Sequence, residues 1–195
     1  MKRAVIAACL ALSLAGCSSS DTAGQDAVAI GGTFTFIAPG GQTDITYPQD
    51  ERKPVKEFSG EGVADGQSIN LKDYEGQVVV LNAWGQWCGP CRSESDDMQE
   101  VHEKLQETGK GTVLGVNVKD YQREISRDFM VDNGMTYPSL YDPPFKTAAA
   151  LGGMPASVIP TTIVLDKHHR PAAVFLREVT AKDVLEVTLP LIDEA

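Results

Sequence analysis

Apolar and polar residues alternate in Thr33-Phe34-Thr35-Phe36-Ile37 and again in Thr43-Asp44-Ile45-Thr46-Tyr47, and Ala38-Pro39-Gly40-Gly41-Gln42 between them carries turn residues. That pattern predicts a β-hairpin. Residues 48–66 lack periodicity and read as loop. Ser68-Ile69-Asn70-Leu71 predicts a short strand, and after a turn at residues 73–77 comes Val78-Val79-Val80-Leu81, apolar at every position, as in a strand buried on both faces of a parallel or mixed sheet. Met98, Val101 and Leu105 fall at i, i+3 and i+7 in a stretch otherwise rich in Glu, Asp, Gln and Lys that ends at Gly109, an amphipathic helix with a glycine stop. Residues 111–118 predict the next strand. A strand, helix and strand in this order make a right-handed crossover whose chemistry sits at the carboxyl end of the first strand. Beyond it the pattern predicts a helix over 123–132 closed by Asn133-Gly134, a strand over 137–141 and a helix over 145–151 stopped by Gly152-Gly153. An antiparallel pair follows over 163–165 and 172–176, then a last helix capped by Thr180 with Val184, Leu185 and Leu189 inward. Strands alternating with helices give an α/β class.

Where the first crossover strand ends, the chain reads Trp84-Gly85-Gln86-Trp87-Cys88-Gly89-Pro90-Cys91-Arg92. A strand running into Cys-x-x-Cys and then a helix puts the first sulfur at a helix N-terminus, where unpaired N–H groups and the helix dipole stabilise a thiolate. A stabilised thiolate beside a second thiol performs dithiol–disulfide exchange. A bridge between cysteines three apart closes too small a loop to restrain the unfolded chain much, so a purely structural disulfide is the weaker reading.

The chain has two other cysteines, Cys9 and Cys17. Lys2 and Arg3 precede an apolar run over 4–14 that has signal-peptide rather than membrane-spanning length, and Leu14-Ala15-Gly16-Cys17 follows. That tetrapeptide resembles a bacterial lipobox, which implies cleavage before Cys17 and a diacylglycerol on its sulfur. An ordinary cleaved signal peptide is the alternative. The organisation expected is a leader over 1–16, a lipidated Cys17 with a small, polar tether over 17–29, and one domain over 30–195. Losing Lys2 and Arg3 with the leader moves the formal net charge from −10 to −12. Such acidity argues against nucleic acid and anionic lipid headgroups as partners. The folded part is expected outside the cytoplasm, on the outer face of the membrane, where thiols drift to disulfides and a dithiol needs a redox partner.

Trp-Cys-Gly-Pro-Cys after a strand, with Ile159-Pro160-Thr161-Thr162 before a hairpin, resembles the thioredoxin fold, a central mixed β-sheet flanked by helices. The N-terminal hairpin and the helix and strand inserted over 120–150 resemble the ResA/TlpA branch of membrane-anchored thiol–disulfide oxidoreductases, as does the entry segment Leu71-Lys72-Asp73-Tyr74-Glu75-Gly76-Gln77 leading to Trp84. The likeness covers roughly residues 60–190. It implies that Cys88, the more exposed sulfur, exchanges with the partner and that Cys91 resolves the mixed disulfide. It implies too that Pro160 is cis and faces the sulfurs, and that Ile159 offers its backbone to an extended partner segment. Trp87 belongs to the partner-contacting rim. Asn82 stands where thioredoxins bury an aspartate, and an amide cannot accept the resolving thiol's proton. Glu94 matches a glutamate of this branch and is a candidate acid/base, with a solvated helix carboxylate as the competing reading. The substrates implied are exported thiol proteins, such as the haem-binding cysteines of apocytochrome c, with general extracytoplasmic disulfide reduction or oxidation as the alternative, and a membrane thiol–disulfide transporter is the implied electron donor.

No cofactor or metal is expected. Copper carriers of the related fold use Cys-x-x-x-Cys with a histidine, a spacing one residue longer, and zinc would need two further ligands. The Thr-x-x-Cys context of peroxiredoxins is missing. His102, in a charged helix, and His168-His169, in a turn, read as solvated surface.

Overall fold

The computed structural model describes residues 32–37 and 40–194. The proposed leader, Cys9, Cys17 and the tether lie outside the described residues. In chain order the elements are β1 (Asp44–Thr46), β2 (Ser59–Glu61), β3 (Ser68–Asn70), β4 (Val78–Trp84), α1 (Gly89–Ser93), α2 (Ser95–Thr108) and β5 (Gly111–Asn117). After them come α3 (Arg123–Asp132), β6 (Ser139–Tyr141), α4 (Thr147–Ala150), β7 (Thr161–Leu165), β8 (Pro171–Phe175) and α5 (Ala181–Asp193). Six strands form one mixed sheet in the order β1-β8-β7-β4-β5-β6, with β4, β5 and β6 parallel and the remaining pairs antiparallel, while β2 and β3 form a separate two-stranded ribbon.

The unbroken apolar run of β4 is explained by its central place. Val78, Val80 and Trp84 face a core shared with Met98, Val101 and Leu105 of α2 and with Val184 and Leu191 of α5. Val79, Leu81 and Ala83 face a second core with Phe34, Phe36, Phe145 and Leu151. Each large apolar side chain removed from water in this way stabilises the fold by roughly 1.5–3 kcal/mol. The periodicity of α2 is met in full, with Met98, Val101 and Leu105 all buried and Gly109 ending the helix at φ 65°.

Several sequence expectations are corrected. Residues 33–37 do not pair with 43–47: β1 instead joins the sheet edge through β8, while the Phe34 and Phe36 N–H groups donate to the carbonyls of Pro54 and Gly152. The alternation was real, but its apolar face is satisfied by the main core rather than by a local partner. The segment read as loop contains β2, which pairs with β3. The helix expected over 145–151 shortens to α4. Thr180 caps α5 through a reciprocal capping box with Asp183, yet Leu189 is exposed, and Thr188, Leu191 and Ile192 carry the inner face beyond Val184. His169 is buried, its ring 3.2 Å from the Tyr74 carbonyl oxygen, because the β7–β8 turn folds back over residue 74. His102 is half-buried at 3.4 Å from the Thr112 hydroxyl, and burial lowers its pKa.

The inserted helix and strand are present as α3 and β6. β6 is tied to the strand that carries the cysteines across the intervening β5: Trp84 Nε1–H donates to Ser139 Oγ at 2.9 Å. Gly115 makes room for that bond, since a Cβ there would lie 2.9 Å from Trp84 Nε1.

Candidate active site

Strand β4 ends at Trp84, and four residues later Cys88 precedes α1. The Trp87 indole lies against Gly85, where no side chain would fit, and its Nε1–H donates to the Val118 carbonyl at 2.9 Å. The ring is thereby locked at the rim with 45% of its surface open to solvent, and Lys119 Nζ lies 5.5 Å from its centroid. Cys88 is the N-cap of α1. Its sulfur accepts the Cys91 N–H at 3.2 Å, the contact that favours negative charge there once the pair is reduced. Pro90 occupies the first turn, where its missing N–H leaves no helical bond unmade.

Cys88 and Cys91 are joined as a disulfide with a Cα–Cα distance of 5.3 Å. In this oxidised state the expected difference in exposure is absent, both residues being 4% exposed. The Ile159–Pro160 peptide is cis, and the Cys88 sulfur lies 3.8 Å from the Ile159 carbonyl oxygen. The fold therefore brings together Cys88, Cys91, Trp87, Ile159 and Pro160, which span more than seventy positions of sequence. Arg92 is exposed on α1.

Glu94 is no solvated helix carboxylate. It closes α1 with its backbone N–H on the Pro90 carbonyl and is 1% exposed. Asn82 Nδ2 donates to Glu94 Oε1 at 2.8 Å and to the Thr162 hydroxyl at 3.0 Å, and the Val179 N–H donates to Glu94 Oε2 at 3.0 Å. Burial raises the Glu94 pKa to about 7, against the lowering effect of those two N–H donors. A carboxyl with that pKa changes protonation state at neutral pH, the property required of a general acid/base. Asn82 thus has the part of a positioning amide, which sequence reasoning could identify only as a missing aspartate. Val179 and Thr162 carry no local signal for their contacts, because both come from distant elements.

Residues 52–170, more than half of the chain, match the AhpC/TSA family. The chain belongs to that family. Over 84% of its length and the whole of the other chain, it superposes with a TM-score of 0.81 and 64% identity on a secreted thiol-disulfide isomerase from Corynebacterium glutamicum. A DsbF homologue from Corynebacterium diphtheriae superposes over 80% of this chain and 98% of that one, with a TM-score of 0.77 and 67% identity. The thiol-disulfide oxidoreductase ResA of Geobacillus thermodenitrificans is 32% identical over 120 residues, 62% of this chain and 66% of that relative, just under two thirds of its length. Within the family the chain therefore stands among the thioredoxin-fold thiol–disulfide oxidoreductases, and it carries the Cys88–Cys91 disulfide just beyond the end of β4.

Proposed function

We propose that this protein is an extracytoplasmic reductant of exported protein disulfides, held to the outer face of the membrane by a lipid on Cys17, with the haem-binding cysteines of apocytochrome c as its substrate class. The observation that carries the reading is the buried Glu94, poised to titrate near neutrality at the end of the short helix that holds both cysteines. In the reduced protein the Cys88 thiolate attacks a sulfur of the partner's disulfide, forming a mixed disulfide and releasing the partner's other sulfur as a thiolate, which takes up a proton. Cys91 then loses its proton to the Glu94 carboxylate, directly or through one water, and attacks the Cys88 sulfur. The partner leaves as a dithiol, and Cys88–Cys91 re-forms with two electrons passed on. The exposed Trp87 edge and the backbone at Ile159 and Pro160 receive the extended partner segment. A membrane thiol–disulfide transporter returns the pair to the dithiol.

The fit of a lipobox at residues 14–17 with a secreted relative supports the extracytoplasmic placement. The test uses a peptide carrying an internally oxidised Cys-x-x-Cys-His, the haem-attachment sequence. The pre-reduced protein is expected to convert it stoichiometrically to the dithiol while forming its own disulfide, read by thiol alkylation and mass. Transfer in the opposite direction, from oxidised protein to reduced peptide at equal concentrations, would reverse the assigned role. In cells, Cys17→Ser is expected to move the protein from the membrane pellet to the soluble fraction, and an unchanged distribution would remove the anchor from the account.

A further inference from the structure

The loop that delivers Cys88 to its helix is fastened to the far end of β5 at three points. The Val118 N–H donates to the Trp84 carbonyl at 2.8 Å, Trp87 Nε1–H donates to the Val118 carbonyl, and the Gln86 N–H donates to Asp120 Oδ2 at 3.0 Å. The third anchor is a buried carboxylate. The same Oδ2 accepts from Asn117 Nδ2 at 2.7 Å, and Asn117 Oδ1 accepts from the Ser126 hydroxyl of α3 at 3.0 Å, so strand, loop and helix are stitched through the buried side chains of Asp120, Asn117 and Ser126. Among the described residues no Lys, Arg or His lies in ion-pair contact with Asp120. Burying a carboxylate against neutral donors alone is unfavourable, and an amide of the same shape could accept the Gln86 N–H without that penalty.

We infer that Asp120 is a positioning residue of the redox site, fixing the backbone that leads into Cys88 and opposing, through its negative charge, the build-up of charge on the Cys88 sulfur of the reduced protein. The inference rests on the reading of Cys88 as the exchanging sulfur. Its physical content is a balance. The N-cap contact from the Cys91 N–H favours the thiolate, which would stabilise the dithiol form and make the couple oxidising, and the buried Asp120 carboxylate, held on the N–H of Gln86 two residues before Cys88, works against it. Other charged groups around this loop are Lys119 on the Trp87 ring, Arg92 on α1 and Glu94 at the end of α1, while Arg123 and Glu124 of α3, with Asp120 itself, act on the Tyr141 hydroxyl. All of them remain when Asp120 alone is changed.

The experiment compares the full chain with Asp120→Asn, Asp120→Ala and Ser126→Ala. It measures the rate of Cys88 alkylation against pH, the midpoint potential of the pair, and the rate of exchange with a polypeptide disulfide. Asp120→Asn keeps an acceptor for Gln86 and removes the charge, so alkylation near pH 7 is expected to accelerate at least roughly 3-fold and the potential to move in the oxidising direction. Asp120→Ala also removes the anchor, and polypeptide exchange is expected to slow about 10-fold, with Asp120→Asn restoring it. Ser126→Ala loosens the same network while keeping the charge and is expected to leave the alkylation profile and potential at the wild-type values. If Asp120→Asn matches the wild type in both readouts, or Ser126→Ala reproduces its shifts, the inference is wrong. A wild-type protein that proves to be an oxidant, with Asp120→Asn still shifted, would overturn the reductant reading and leave the inference standing.

Discussion

Cys91→Ser is expected to abolish turnover while trapping partner proteins on Cys88. The reason lies in the order of events at the site. Cys88 caps the helix, with its sulfur facing the Ile159 carbonyl, while Cys91 sits within the first turn behind it. Removing Cys91 leaves the first attack intact and deletes the second nucleophile, so the mixed disulfide accumulates instead of resolving. Turnover with a polypeptide disulfide should fall on the order of 10³-fold or more, the scale of losing a covalent nucleophile. The trapped adduct should appear on a non-reducing gel and vanish with reductant. Cys88→Ser should be as inactive yet trap nothing. An adduct forming through Cys91 instead of Cys88 would contradict the assignment of the two sulfurs.

The second large effect is on stability against pH. Glu94 has its pKa raised from 4.5 to about 7 because it is enclosed between α1, β4 and the segment before α5. A carboxyl whose folded pKa lies above its unfolded value binds its proton more tightly in the folded state, so ionisation penalises folding. The penalty is absent below about pH 4.5, grows as pH rises and is complete above about 7, where it amounts to about 3 kcal/mol. The oxidised protein should therefore be less stable to denaturant at pH 8 than at pH 5. Glu94→Gln has no charge to bury. With the Asn82 amide turned over to match it, the variant should lose that slope and gain relative stability at pH 8.

Other shifted groups do not confuse the comparison. Asp44, lowered by its hydrogen bond to Arg177, and Asp183, lowered by the Thr180 N–H, stabilise the fold above their unfolded pKa values and lose that contribution only as pH falls below about 4. His102, lowered by burial, weakens the fold as pH falls through about 6.5, opposite in sign to Glu94 and common to both proteins. A Glu94→Gln variant with the wild-type pH slope would show that residue 94 is not the group responsible.

What could be read from the sequence divides along the distance over which each contact acts. β4, α2 and the Cys-x-x-Cys between them were legible because an apolar run, a 3.6-residue stripe and a strand-to-helix turn are local patterns, and the structure places each where the pattern does. The Thr180 cap was legible for the same reason. Residues 33–47 misled because alternation records which side chains are buried and not which strand they meet: β1 turned to β8 and left Phe34 and Phe36 to the core. His169 does lie in the turn between β7 and β8, but it looked solvated because nothing nearby in sequence announces the Tyr74 carbonyl. Leu189 looked like an inner-face residue because its spacing from Val184 and Leu185 is acceptable on a helix, whereas the packing chose Thr188.

At the site, the cysteines and the Ile159-Pro160 pair could be recognised from motif and resemblance. The state of Glu94 could not. Its burial depends on Asn82, twelve residues back, and on Val179, eighty-five residues ahead. Asp120 was invisible for the same reason, an unremarkable acid after a strand until Gln86 is found to donate to it. Residues whose effect on chemistry comes through long-range hydrogen bonds leave no periodic trace.

The most direct test of the account is the midpoint potential of the Cys88/Cys91 pair, measured by equilibrating the protein in defined redox buffers at neutral pH. A reversible two-electron couple near or below about −250 mV is predicted, a value suited to reducing exported disulfides. A midpoint near about −120 mV would contradict it and make the protein a disulfide donor.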